Sequence, residues 1–232
     1  MKKGKSTVAS GQRNLAVRVK TAKIRTPSST RWLQRQLNDP YVTEAKRLGY
    51  RSRAAFKLLQ MDEKYNLLRS GMRVVDLGAA PGGWTQVAVE KVKSEHGKGQ
   101  VVGLDILPME PLPGADVMLA DFTTEEAPED LKKLMKGKAD LVLSDMASPT
   151  TGHTQTDHIR IMMLAELAAD FAIEVLAPEG GFVCKLFQGG AEKQLLDKLK
   201  KAFKTVKHAK PPASRSDSAE TYVIAMGFRG MP

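Results

Sequence analysis

Lys185 is the residue with the most chemistry to account for. It stands in the run Phe182-Val183-Cys184-Lys185-Leu186-Phe187, where every other residue is apolar. An ammonium without partners is costly to bury. Such a lysine is either an edge residue reaching out to water or a group held for chemistry. Asp145 closes the earlier run Leu141-Val142-Leu143-Ser144, and one helical crossover separates the two, so the strands can adjoin. A lysine beside a carboxylate can take a proton from a hydroxyl, which requires the amine, or stabilise an oxyanion, which requires the ammonium. Lys57 and Glu220 are further charges, one on a helix ahead of the main body and one at the start of the last strand. On spacing alone each is unremarkable and reads as a solvated surface charge.

A ligand pocket is written in Val74-Val75-Asp76-Leu77-Gly78-Ala79-Ala80-Pro81-Gly82-Gly83-Trp84. Apolar residues around a single acid suit a buried strand, and the small residues after it make a sharp turn into a helix N-terminus. Strand, glycine turn and helix together form a nucleotide-type crevice in α/β sheets. The spacing Gly78-x-x-x-Gly82-Gly83 is not the dinucleotide fingerprint, and Gly83-Trp84-Thr85 lacks the lysine of a phosphate loop. Trp84 and Pro81 are expected to crowd the space phosphates would fill, which favours a nucleoside without them. Asp76, Asp105, Asp121 and Asp145 lie at or near the ends of four successive apolar runs. In a parallel sheet those ends line one crevice. Asp105 is placed to accept hydrogen bonds from both hydroxyls of a ribose. An acidic crevice favours a cation, and S-adenosylmethionine joins an adenosine to a sulfonium and an ammonium group.

Alternating segments must hold these residues in place. Strands are expected near 73–77, 100–105, 116–120, 140–145, 180–187, 204–208 and 221–228. Helices are expected near 83–95, 125–136, 155–177 and 190–202, with Gly180-Gly181 separating the third of these from its strand. Two shorter helices precede them, Tyr41 to Leu48 and Arg53 to Lys64, the second capped by Ser52. The pattern predicts an α/β fold, a doubly wound, Rossmann-like architecture with a seven-stranded, mostly parallel sheet and helices on both faces.

Charge is divided along the chain. Residues 1–60 hold 15 Lys and Arg against Asp39 and Glu44, a balance of +13, and the rest hold 21 against 24, a balance of −3, which gives the formal +10 of the 232 residues. A basic arm on a near-neutral body points to a polyanion partner. Residues 1–30 are expected to be a disordered basic tail and residues 31–232 a single α/β domain with an N-terminal helical extension. The tail also reads as a solubilising segment or a mitochondrial presequence. No run approaches the ~18 apolar residues of a membrane span. The single Cys184 excludes an internal disulfide and a cysteine-cluster metal site, and His153 and His158 read as loop and helix-start residues. The expectation is therefore a cytoplasmic protein, with no metal and no membrane contact.

Several segments in order resemble the RlmE/FtsJ (RrmJ) family of ribosomal RNA 2′-O-methyltransferases. They are Arg51-Ser52-Arg53-Ala54-Ala55-Phe56-Lys57-Leu58, Asp76 to Trp84, Asp105-Ile106-Leu107-Pro108-Met109, Leu143-Ser144-Asp145-Met146-Ala147, Lys185-Leu186-Phe187-Gln188-Gly189, and Ser214-Arg215-Ser216 leading to Glu220-Thr221-Tyr222. The resemblance covers about residues 30–228. It implies a catalytic tetrad at Lys57, Asp145, Lys185 and Glu220, and an S-adenosylmethionine site at Gly82, Trp84, Asp105, Asp121 and Asp145. It further implies methylation of one uridine ribose in the A loop of large-subunit (23S) ribosomal RNA, on the ribosomal particle, by a monomer. Lys185 would be the proton acceptor, with Arg51, Arg53 and Lys57 helping the basic arm to grip RNA. One segment departs: the family reads Asp-Met-Ala-Pro-Asn where this chain has Asp145-Met146-Ala147-Ser148-Pro149. Two other readings share the fold, a ribose methyltransferase of transfer RNA or an mRNA cap, and an idle ribosome-assembly or RNA-binding protein.

Overall fold

The computed structural model describes residues 17–149, 151–189 and 192–230. They fall into two compact units divided between Glu44 and Ala45. The first holds a 3₁₀ turn at Ala22–Ile24 and helix α1 (Pro27–Asn38). The Thr26 hydroxyl caps α1 by accepting from Ser29 N–H at 3.3 Å, and Pro27 occupies the first turn, where its missing N–H costs nothing. Residues 27–30, expected in a disordered tail, are therefore helical. The expectation for residues 1–16 lies outside the described residues. Helix α2 (Pro40–Leu48) follows.

The second unit continues with α3 (Ala55–Tyr65), β1 (Arg73–Leu77), α4 (Gly83–Val92), β2 (Gln100–Asp105), β3 (Ala115–Leu119) and α5 (Glu126–Leu134). It ends with β4 (Ala139–Ser144), α6 (Thr154–Val175), β5 (Leu176–Phe187), α7 (Lys193–Ala202), β6 (Phe203–Ala209) and β7 (Glu220–Phe228). The seven strands form one sheet in the order β3-β2-β1-β4-β5-β7-β6. Only β7 runs antiparallel to its neighbours. Period-two alternation sorts side chains to two cores. Val75, Leu77, Val142, Phe182 and Leu186 face α5, α6 and α7. Val74, Leu141, Leu143, Val183 and Ile224 face α3 and α4. Lys185 shares the parity of Val183, so it emerges on the α3/α4 face.

Three local expectations are corrected. Gly180-Gly181 does not precede the strand, because β5 begins at Leu176, straight after α6. Pairing jumps from Ala139–Leu176 to Leu141–Gly181, so residues 177–180 bulge out. A Cβ on Gly181 would stand 2.7 Å from Met226 Sδ, which is why glycine marks the bulge. Ser52 does not cap α3, whose N-cap is Ala54 without a side-chain bond.

Asp76 is the third correction, since it is fully buried within β1 rather than lining a crevice. Thr85 on α4 donates its hydroxyl to Asp76 Oδ2 at 2.6 Å, tying helix to strand. Burial raises the acid to about 7 against the Thr85 bond, and the negative charges of Asp145 and Asp105 add to the rise. The folded state therefore keeps a proton that the unfolded chain has lost, and this residue's penalty grows as pH rises from about 4 to about 7. Asp76→Asn should gain stability relative to the parent across that window, by a few kcal/mol (roughly 1.4 per pH unit of displacement). Urea unfolding at pH 5 and pH 7.5 checks this, and a constant difference between the two proteins would contradict it.

Candidate active site

Four distant segments meet at the carboxyl end of the sheet. Asp145 follows β4, and its backbone N–H donates to Leu77 O of β1 at 3.0 Å, which fixes the residue at the strand exit. Lys185 lies on neighbouring β5. Its ammonium donates to Asp145 O at 2.6 Å and stands 3.1 Å from Asp145 Oδ1. Directly across the antiparallel ladder from Lys185 is Tyr222, and from Phe187 is Glu220. Paired residues of a ladder project to one face, so Lys185, Tyr222 and Glu220 point together toward α3. Lys57 completes the group from α3. Its ammonium donates to Glu220 Oε2 at 2.7 Å and to the Tyr222 hydroxyl at 3.1 Å, and lies 4.0 Å from Asp145 Oδ2.

Lys57, Asp145, Lys185 and Glu220 thus converge as expected. Their side chains are 8–16% exposed, so a substrate can reach them while most water is excluded. Two residues in the network were not anticipated. The Tyr222 hydroxyl donates to Asp145 Oδ1 at 2.8 Å, and the Ser214 hydroxyl donates to Glu220 Oε1 at 2.8 Å. The signal for Tyr222 was its place two residues beyond Glu220 on one strand. Burial alone would push the Asp145 carboxyl up. The ammonium groups of Lys185 and Lys57 outweigh it, with the hydrogen bonds from Tyr222 and Lys185, and hold Asp145 below the usual carboxylate range. Burial, then the charges of Asp145 and Glu220, drive the Tyr222 phenol well above its ordinary value, so it remains a donor. Burial also pushes the Cys184 thiol up to about 12, which leaves it inert.

Of the expected ligand residues, Asp105 and Asp121 share a pocket, whose walls do not include Gly82, Trp84 or Asp145. Gly78, Asp105, Asp121, Phe122 and Met146 line a cleft of about 200 Å³. Gly78 must be glycine, because a Cβ there would stand 2.8 Å from the Met146 backbone. Asp105 is held by two backbone donors, Ala80 N–H on Oδ2 and Leu107 N–H on Oδ1, both at 2.8 Å. Each carboxylate oxygen keeps a lone pair for another donor. Asp121 is exposed. Its Oδ1 accepts the Thr123 N–H at 2.9 Å and hydroxyl at 2.7 Å, which hold the carboxyl below its usual value. Gly82 is the N-cap of α4, and the bond from Gln86 N–H to Gly82 O opens the helix, which leaves the N–H groups of Gly83, Trp84 and Thr85 without an intrahelical acceptor.

Trp84 does not crowd the pocket with its side chain. The indole is 3% exposed, donates to Ala54 O at 2.8 Å and packs against Tyr222 with ring centres 5.6 Å apart. An apolar face this large gains more inside the α3/α4 core than beside a polar cleft. Only its backbone N–H, in the first turn of α4, is left for a ligand. Arg53 donates to Ala213 O at 2.6 Å, and Lys57 is buried in the network.

Comparison with known proteins came to the same fold. Residues 50–228 match the model of the FtsJ-like methyltransferase family. The chain is 67% identical over 224 residues to a protein of Paramagnetospirillum magneticum named Ribosomal RNA large subunit methyltransferase E, covering 96% of this chain and 92% of the relative. A protein of the same name from Rhodospirillum rubrum is 63% identical over 228 residues, covering 98% and 87%. A crystal structure from Plasmodium falciparum, described as a ribosomal RNA methyltransferase, superposes with a TM-score of 0.69 at 28% identity, covering 78% of this chain and 100% of that one.

Tyr222→Phe removes a donor from the Asp145 carboxylate and nothing else from its charge. The Asp145 carboxyl should then titrate at a higher pH than in the parent, as followed by carbon NMR of the labelled side chain. An unchanged titration would show that the phenol does not stabilise the anion.

Proposed function

The chain belongs to the FtsJ-like methyltransferase family, and from that premise we propose that it methylates a ribose 2′-hydroxyl in large-subunit ribosomal RNA, using S-adenosylmethionine. The finer reading is a uridine in the A loop of 23S RNA, modified on the ribosomal particle. The relatives named above are bacterial, and we place the reaction in the cytoplasm rather than in a mitochondrion. The observation that carries the proposal is the convergence of Lys185 on Asp145, 3.1 Å apart, near a cleft lined by Asp105.

The residues present fit the donor. The Asp105 carboxylate, fixed by two N–H groups, suits the two hydroxyls of a ribose. Asp121 keeps Oδ2 for a further donor from the nucleoside. The free N–H groups at the start of α4 suit a carboxylate, and Asp145 supplies negative charge where a sulfonium would lie. When bound, the donor supplies a methyl group on a positively charged sulfur that leaves as a neutral thioether.

The chain's own residues then have separate tasks. In its amine form, after the ammonium has given a proton to solvent, Lys185 Nζ receives the proton of the 2′-hydroxyl while that oxygen bonds to the methyl carbon and the carbon–sulfur bond breaks. Asp145 orients Lys185 through both its carboxylate and its backbone carbonyl. Lys57 and Glu220, joined at 2.7 Å, border the place of the ribose and hold it in line. Correct alignment of oxygen, carbon and sulfur can lower the barrier by several kcal/mol.

The experiment is single-turnover methyl transfer to undermethylated large-subunit particles, with mass spectrometry locating the modified nucleotide. Lys185→Ala should lose roughly 100- to 10,000-fold in rate at saturating donor, the usual worth of a proton acceptor. The parent rate should rise with pH. Near-parental turnover in Lys185→Ala, or methyl on a base instead of a ribose, would contradict the proposal.

A further inference from the structure

The segment 106–113, Ile-Leu-Pro-Met-Glu-Pro-Leu-Pro, leaves β2 directly after Asp105. Its three prolines bring no N–H, and it forms neither helix nor strand, so its carbonyls need donors from elsewhere. Arg51 is that donor. One guanidinium nitrogen donates to Glu110 O at 2.6 Å and another to Pro111 O at 2.7 Å. Among the described residues, the other hydrogen bonds of the segment lie near its ends, Leu107 N–H to Asp105 Oδ1 at 2.8 Å and Ala115 N–H to Leu112 O at 3.1 Å. The middle hangs on one planar fork.

Arg51 is itself anchored from the far side. Its N–H donates to Gln86 Oε1 on α4 at 2.7 Å, and Gln86 Nε2 donates back to Gly49 O at 3.1 Å. Between these anchors the side chain lies across Gly82. A Cβ there would stand 2.9 Å from Arg51 Cδ, 3.0 Å from its Nη1 and 3.2 Å from Met109 Cε. Gly82 also has φ +109°, so glycine is required on both counts. Asp105, segment 106–113, Arg51 and the Gly82 turn are thus joined by an unbroken series of contacts, of which Asp105 and Ile106 line the cleft.

We propose that Arg51 is a positioning residue for the methyl donor. Its fork pins segment 106–113 over the Gly82 turn, and so presents Asp105 and the start of α4 as one preformed surface. This rests on the donor site proposed above. It also reassigns Arg51 from the RNA phosphates, since two of its donors already hold backbone carbonyls. A lysine keeps the charge but not the paired planar donors.

The test compares Arg51→Lys and Arg51→Ala with the parent, all as full-length chains. S-adenosylmethionine affinity is read by calorimetric titration. RNA affinity is read on a large-subunit ribosomal RNA fragment over a range of salt. Amide hydrogen exchange is read across 106–113 without donor. Both variants should bind the donor about tenfold more weakly, consistent with loss of charge-assisted hydrogen bonds. Exchange at Leu107, whose N–H is bonded to Asp105 Oδ1, should rise. The kinetic loss should fall on KM for the donor and not on kcat, with RNA affinity and its salt slope as in the parent. Parental donor affinity and protection in Arg51→Lys would overturn the proposal, as would a loss confined to RNA binding with a shallower salt slope. If Arg51→Ala does not fold, Arg51→Lys decides alone. Failure of the parent itself to bind S-adenosylmethionine would instead contradict the proposed function.

Discussion

One carboxylate lies between two buried lysines, and its charge is the constraint on which the site depends. Asp145 stands 3.1 Å from the Lys185 ammonium and 4.0 Å from that of Lys57, and takes a hydrogen bond from Tyr222. Withdrawing an ion from water costs several kcal/mol unless geometry and hydrogen bonds return it. Here two carboxylates, Asp145 and Glu220, answer two ammonium groups. Tyr222 spans both halves of the network, donating to Asp145 and accepting from Lys57. Asp145 is consequently held as an anion despite its burial.

The sheet order is what allows this arrangement. β1 and β5 flank β4, so the exit of β4 has a strand on either side. The antiparallel insertion of β7 beside β5 then brings Glu220 and Tyr222 level with Phe187 and Lys185. Lys57 and Glu220 are 163 residues apart, and Tyr222 and Asp145 are 77 apart. No local segment can assemble such a site, so the chemistry depends on the complete sheet. The ligand half of the cleft is more local. It is made by the turn after β1 and the loop after β2, with Arg51 joining them from outside the alternating pattern.

Much of this was legible in the residues. All seven strands were placed to within a few positions, because buried strands read as apolar runs and turns as glycine-rich breaks. Lys185 and Asp145 were legible because each is a charge where burial forbids an unpaired one. Lys57 and Glu220 were visible only through family resemblance, since a charge on a helix or at a strand start has no distinctive spacing. Other features were hidden for physical reasons. Asp76 looked like its neighbours at strand ends, but a hydroxyl from Thr85 lets it stay inside. Trp84 lies in the glycine turn, yet its indole follows the hydrophobic gradient into the core. Tyr222 read as a core aromatic, which it also is, and its hydroxyl role depends on the register of β5 against β7. The bonds from Arg51 to Glu110 O and Pro111 O were hidden because nothing in sequence shows that the carbonyls of 106–113 need donors from outside the segment. Helix α1 was missed because Ser28-Ser29-Thr30 has weak helix propensity, which the Thr26 cap and Pro27 offset.

The central claim is that the Asp145–Lys185 pair faces the transferable methyl. A crystal structure of the chain with S-adenosylmethionine bound tests it most directly. The account predicts the donor ribose on Asp105 and the methyl carbon no more than about 6 Å from Lys185 Nζ, room for one oxygen at near-contact distance from each. A donor bound with its sulfur turned away from Asp145, or with Lys185 screened from it by other side chains, would contradict the account.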